Sequence, residues 1–149
     1  MSTALGAINS TTSMDSAAEV DSKMQANGNR RLIEVRILEK TTDHTVSTGV
    51  GGDFEIPFTG TINNVFAYVD TAGTTGLATI DFNKNGTTVL STKVTIDSTE
   101  KSSRTAATPP VISVSGFTKG DLYTFDIDVI QTTAAKGLTV VLDVTITSF

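Results

Sequence analysis

TINNVFAYVDTAGTTGLATIDFNKNGTTVLSTKVTI, running from Thr61 to Ile96, decides the fold class. Its pivot is Asn85-Gly86. Both residues tolerate the positive φ of a type I′ turn, and between two runs of alternating apolar residues such a pair is the strongest short-range signal for a β-hairpin. Upstream, Ala78, Ile80 and Phe82 share one face, and Thr79, Asp81 and Asn83 share the other. Downstream, a run beginning at Val89 continues through Val94 and Ile96. The expectation is two antiparallel strands with one face buried.

The same period of two recurs on both sides of this hairpin. Ile33, Val35 and Ile37 alternate with Glu34 and Arg36, which describes a strand with one wet face. After the polar link KTTDHT, Val46 opens a short edge strand, Gly49-Val50-Gly51-Gly52 punctuates the chain, and Phe54, Ile56 and Phe58 alternate across the next strand. Pro57 has no backbone donor, so that strand is expected at an edge or bulged. Val65, Ala67 and Val69 then face one way and Phe66 and Tyr68 the other, and aromatics on the second face imply that it too is covered.

Beyond Ile96, the polar stretch DSTEKSSRTAATPPVIS predicts a crossing between sheets, because adjacent hairpin strands need only about 2–5 residues. Val111, Ile112 and Val114 form a short strand. Tyr123, Phe125, Ile127 and Val129 alternate with Thr124, Asp126 and Asp128. Leu138, Val140, Leu142, Val144 and Ile146 line one face of the last strand. About eight to nine short strands at this spacing indicate an all-β, antiparallel β-sandwich, jelly-roll-like or a related Greek key. An immunoglobulin-like sandwich ranks second, since its Cys and Trp marks are absent.

A chain of 149 residues can bury roughly 68–70% of its unfolded surface in one core. Residues 30–149 are read as the β-sandwich domain and residues 1–29 as an N-terminal arm, small, polar and without an aromatic residue. The arm is expected to be mostly extended. Within it Ser16-Ala17-Ala18-Glu19 fits a capping box, and Ala17, Val20 and Met24 fall on one stripe before Asn27-Gly28, which allows one short helix. Two readings stand for it: a frayed terminus, or a segment ordered against a neighbouring subunit through Val20 and Met24.

Sixteen acidic against eleven basic residues give a net charge of −5, which repels nucleic acid, and no Lys/Arg cluster with interleaved aromatics overrides it. The apolar runs fall far short of the ~20 residues that span a bilayer. MSTALGAINSTTSMDS lacks the basic and apolar regions of a secretory signal. Neither a nucleic-acid nor a membrane partner is expected.

Several motifs invite chemistry. Asp81-x-Asn83-x-Asn85-Gly86 matches the opening of an EF-hand calcium loop, but Thr92 stands where the bidentate carboxylate belongs, and a polar strand face running into a turn explains the same residues. Asp126 and Asp128 could serve as paired carboxylates for glycoside hydrolysis, yet alternating acids on a wet strand face are ordinary. His44, the single histidine, reads as a solvated loop residue beside Asp43. Gly49–Gly52 leads into a strand, so it is no phosphate loop. Asn9-Ser10-Thr11 and Asn85-Gly86-Thr87 are sequons only in form. No catalytic residue, cofactor, metal or small-molecule substrate is assigned.

Taken together, FEIPFTGTINNVFAYVDTAGTTG, IDFNKNGTTVLSTKVTIDSTEKSSRTAATPPVIS and GDLYTFDIDVIQTTAAKGLTVVL resemble a β-sandwich domain of tailed-bacteriophage virion proteins, over residues 53 to 142. Its more specific parts are Asn83-Lys84-Asn85-Gly86-Thr87, Thr95-Ile96-Asp97 followed by Glu100, the run Thr105 to Pro110, and Ala135-Lys136-Gly137-Leu138. The resemblance implies turns and strand edges at these positions, none of them catalytic, in head-decoration or tail-fibre proteins that are commonly trimers. With only a short arm ahead of the domain, the expectation is a capsid decoration (cement) protein. It would be assembled in the host cytoplasm and bound to the major capsid protein on the virion surface as a homotrimer. The alternative is a tail-fibre or receptor/glycan-binding module.

Overall fold

A computed structural model describes residues 29 to 149, and the sandwich is the unit Arg31–Phe149 together with the first residue of its first strand. The arm, with Val20 and Met24, lies outside the described residues. Eleven strands follow: β1 Arg30–Asp43, β2 Ser47–Glu55, β3 Thr59–Tyr68, β4 Ala78–Lys84, β5 Thr87–Thr88, β6 Leu90–Thr92, β7 Val94–Ile96, β8 Val111–Ile112, β9 Gly116–Phe117, β10 Leu122–Val129 and β11 Lys136–Ser148. Among the described residues the only helical element is the 3-10 turn Ser103–Thr105. The fold is all-β.

Sheet A has the order β1-β11-β3-β9 and sheet B the order β2-β10-β4-β5, with β7 pairing the remaining length of β4. The chain therefore passes from sheet to sheet between β1, β2, β3 and β4, and again between β9, β10 and β11. That is the jelly roll expected from the mixture of tight hairpins and long crossings.

Asn85 and Gly86 adopt φ of 49° and 82°, the left-handed pair that turns β4 into β5. The downstream arm of this hairpin differs from the simple strand expected. It pairs at Asn83↔Thr88 and Lys84↔Thr87, leaves β4 so that β6 can pair β8, and returns as β7 at Ala78↔Ile96. Val89 and Leu90 are buried by that excursion, which explains why an apolar run continues there without strict alternation.

Gly49–Gly52, expected to punctuate the chain, instead lies inside β2. Gly49, Gly51 and Gly52 all have positive φ, and β2 pairs β10 with repeated register shifts, so these glycines build bulges within an edge strand. Ile56, Pro57 and Phe58 are not a strand but the turn into β3, and Pro57 thereby needs no ladder partner. Val129 also departs from expectation: a register shift after Ile127 leaves it exposed.

The core lies between the sheets. Sheet A contributes Val65, Ala67, Leu138, Val140, Leu142, Val144 and Ile146, all buried as the alternation requires. Sheet B contributes Phe82, Tyr123 and Phe125, which form one aromatic cluster with Phe54 at ring centroid separations of 4.9 to 6.3 Å between its members. Fully burying each such side chain contributes about 1.5–3 kcal/mol. In β3, Ile62 and Val65 both point inward although three apart, because Asn63-Asn64 opposes the single residue Asp143 as a bulge. Asn64 Oδ1 accepts the Val65 N–H at 2.9 Å, and Asn63 Nδ2 reaches Thr145 Oγ1 at 2.9 Å.

Candidate functional site

The outer face of sheet B gathers the carboxylates noted in the sequence. Asp81 and Asp126 stand opposite each other on β4 and β10. Asp81, only 5% exposed, accepts the Phe82 N–H (2.8 Å) and the Thr88 hydroxyl (2.5 Å) through Oδ1, and Lys93 Nζ lies 3.0 Å from Oδ2. Lys93 Nζ also lies 2.6 Å from Asp128. Its pKa is raised, first by the hydrogen bond to Asp128 and then by the one to Asp81. Asp126 is held by the Gly49 N–H and by Asn83 Nδ2, both at 2.8 Å.

The four residues of the calcium motif therefore do not converge. Asp81 and Asn83 lie along a strand, and Asn85 has turned away, where Nδ2 donates to Asp121 (3.1 Å) and Oδ1 accepts the Leu122 N–H (3.0 Å). Among the described residues no group of three or more His, Cys, Asp or Glu could hold a metal ion. Sequence reading missed Lys93, because only the return of β7 to β4 carries it over two acids that lie far apart in the chain.

His44 departs most from expectation. It follows β1 in a polar link, yet it is 1% exposed. Its N–H donates to Ala135 O at 2.8 Å, and the ring Nε2 lies 2.9 Å from Gly137 O. A carbonyl oxygen only accepts, so Nε2 carries the proton and Nδ1 presents a lone pair that has no hydrogen-bond partner. Burial lowers the pKa of the ring, opposed by the Gly137 hydrogen bond and by Asp43. The ring ties the link between β1 and β2 to the start of β11. Around it, Lys136 pairs with Asp43 at 3.1 Å and Arg36 with Asp70 at 2.5 Å.

Sheet A presents a different outer face. Phe66 is half-buried beneath Arg104, whose guanidinium carbon stands 3.6 Å from the ring centroid. Ser103 beside it accepts the Ala67 N–H at 2.9 Å, so the crossing from sheet B is tied to the free side of β3. The expectation that this face is covered holds at Phe66. Tyr68 is 37% exposed, and its hydroxyl donates to Glu34 of β1.

One end of the sandwich carries the remaining feature. Asn85 of the β4–β5 turn binds the turn before β10, Lys119 of that turn donates to Thr59, and Thr59 pairs Ser148 near the C-terminus; Val114, Leu122 and Phe149 are exposed. Lys84, Asn85, Thr87, Thr88, Val89 and Val114 line a shallow cleft of about 280 Å³. Asp121 clasps the turns by accepting the Thr118 N–H at 2.8 Å, which is the leading cause of its lowered pKa. Phe149 packs edge-on against Phe58 at 5.4 Å.

Comparison with protein-family models, with curated proteins and with solved structures finds no match for this chain. Among the described residues no helix is long and apolar enough to cross a membrane.

Proposed function

We propose that this protein is a structural virion protein, a capsid decoration (cement) protein that binds the outer surface of a phage head as a homotrimer and stabilises it. The observation that carries this reading is the division of the surface. Asp81, Asp126, Asp128 and His44 are bound up in internal hydrogen bonds and ion pairs. The turn end of the sandwich, by contrast, leaves Val114 exposed at a shallow cleft and also exposes Leu122 and Phe149, which lie outside the lining of that cleft. That arrangement suits adhesion to another protein better than turnover of a substrate. Burying such side chains against the major capsid protein contributes about 1.5–3 kcal/mol for each one fully covered.

The resemblance of residues 53 to 142 to phage virion domains and the jelly-roll body support the same reading. In this reading Val20 and Met24 of the arm contact a neighbouring subunit. Assembly takes place in the host cytoplasm and the protein resides on the virion. The test is the copy number of this chain relative to the major capsid protein in purified particles: a ratio near one supports cement. Deleting residues 1 to 26 leaves the sandwich folded and lowers capsid occupancy; unchanged occupancy removes the lacing arm.

A tail-fibre or receptor-binding role is the second reading. Tyr68 and Phe66 favour it, since they share the outer face of sheet A with Glu34, Arg36 and Arg104, a mixture that suits a glycan. A ratio of a few copies per hundred capsid subunits selects it.

A further inference from the structure

Three of the four edges of sheets A and B are blunted. β9 has two residues, β5 and β7 have two and three, and β2 is bulged by three glycines at positive φ with shifted register. Short strands and bulges are how sandwiches avoid pairing edge to edge. β1 is neither short nor built on glycines at positive φ, and β2 comes close to its backbone at one point, Gly51 beside Ile37. β1 is 14 residues long, contains neither Pro nor Gly nor a residue at positive φ, and among the described residues pairs only with β11. It also leaves Leu32 68% exposed, with Ile33 and Val35 half-buried.

The sequence of this strand is complementary to itself reversed. In RLIEVRILE, Arg31 to Glu39, reading from both ends toward Val35 matches Arg31 with Glu39, Leu32 with Leu38, Ile33 with Ile37 and Glu34 with Arg36. We propose that β1 pairs antiparallel with β1 of a second copy of this chain across a two-fold axis at Val35, joining two A sheets into one.

The register follows from the residues. Matched positions have the same parity, so they share a face of the joined sheet: Ile33, Val35 and Ile37 continue the inner row, and Leu32, Glu34, Arg36 and Leu38 the outer one. Slipping by two residues sets Glu34 against its own copy in one direction and Arg36 against its own copy in the other. Slipping by one exchanges the faces. Arg36 already donates to Thr139 and Asp70, which leaves further donors of its guanidinium for a partner's Glu34. Such pairing is isologous and closes after two copies. The contact goes beyond the virion reading, because it belongs to the isolated chain and needs no capsid. A trimer whose three-fold contacts lie elsewhere would use it to join neighbouring trimers.

The chain has no cysteine, so single introduced thiols report the register directly. Residues directly opposed in an antiparallel pair have Cα atoms about 4.5–5.5 Å apart, within the range a disulfide spans. Oxidised under native conditions, full-length Val35→Cys is expected to form a covalent dimer. Leu32→Cys and Leu38→Cys are each expected to stay uncross-linked alone and to form the dimer when mixed. Sedimentation gives the second readout: Glu34→Arg and Arg36→Glu each weaken self-association at least tenfold, and mixing the two restores it. A Val35→Cys chain that melts cooperatively yet does not cross-link, or a Leu32→Cys chain that cross-links equally well alone, overturns the proposal. So does self-association that neither charge reversal changes. All of these are measured on purified protein, so absence from phage heads would overturn the virion reading and leave this one standing.

Discussion

His44 Nε2 and the carbonyl oxygen of Gly137, 2.9 Å apart, join the link after β1 to the first residues of β11. The neutral ring fits this buried corner and the charged ring does not, since Nδ1 would carry a proton with no acceptor to receive it. In the folded chain the pKa of His44 therefore lies below its ordinary value of 6.5.

The sign of the resulting pH dependence is set by that direction. Below pH 6.5 the unfolded chain takes up a proton that the folded chain refuses, so the stability present above 6.5 is lost as pH falls toward the lowered folded pKa. One such group changes stability by at most about 1.4 kcal/mol per pH unit. The denaturation midpoint is expected to fall between about pH 7.5 and pH 5, and His44→Gln to flatten that slope. Equal slopes in the two proteins would contradict the buried neutral ring.

Gly60 lies in β3 opposite Ile146 of β11. A Cβ there would sit 2.1 Å from the Thr145 carbonyl oxygen and 2.9 Å from the Phe117 ring. Backbone cannot yield as a flexible side chain can, so Gly60→Ala is expected to destabilise the fold by at least about 1–3 kcal/mol, read from chemical denaturation. A neutral substitution would mean that the two strands are farther apart.

Asp81 has its oxygens engaged by a backbone N–H, a hydroxyl and an ammonium group. A chelator is accordingly expected to leave the melting temperature unchanged, and added calcium not to raise it. Lys93→Met, which strips the cation from Asp81 and Asp128 together, is expected to lower it. A chelator-sensitive melt would return the calcium reading to Asp81.

Asn85 supplies both a left-handed φ and two side-chain hydrogen bonds to the turn before β10. Asn85→Ala loses those bonds and keeps the unfavourable φ, for an expected loss of about 1–3 kcal/mol. Asn85→Gly restores the φ alone and is expected to recover part of it. If the two variants are equally stable, the hydrogen bonds and not the φ hold the turn.

What the sequence by itself determined is what depends on near neighbours. The period of two placed Leu138 through Ile146 inside, Asn85-Gly86 announced its own turn, and the polar stretch after Ile96 announced a crossing. Each follows from the geometry of a few adjacent residues. Only the tertiary structure decided whether a polar residue meets water. His44 stands in a polar link and Asp81 on the polar face of its strand, and both are buried because other segments close over them: Ala135–Gly137, far along the chain, over one, and the returning arm of the hairpin with Thr88 and Lys93 over the other. The glycines of β2 escaped as well, since a run of Gly reads as a break until a neighbouring strand offers it a ladder to bulge against. Burial and pairing are sums over the whole fold, and no local window of sequence contains them.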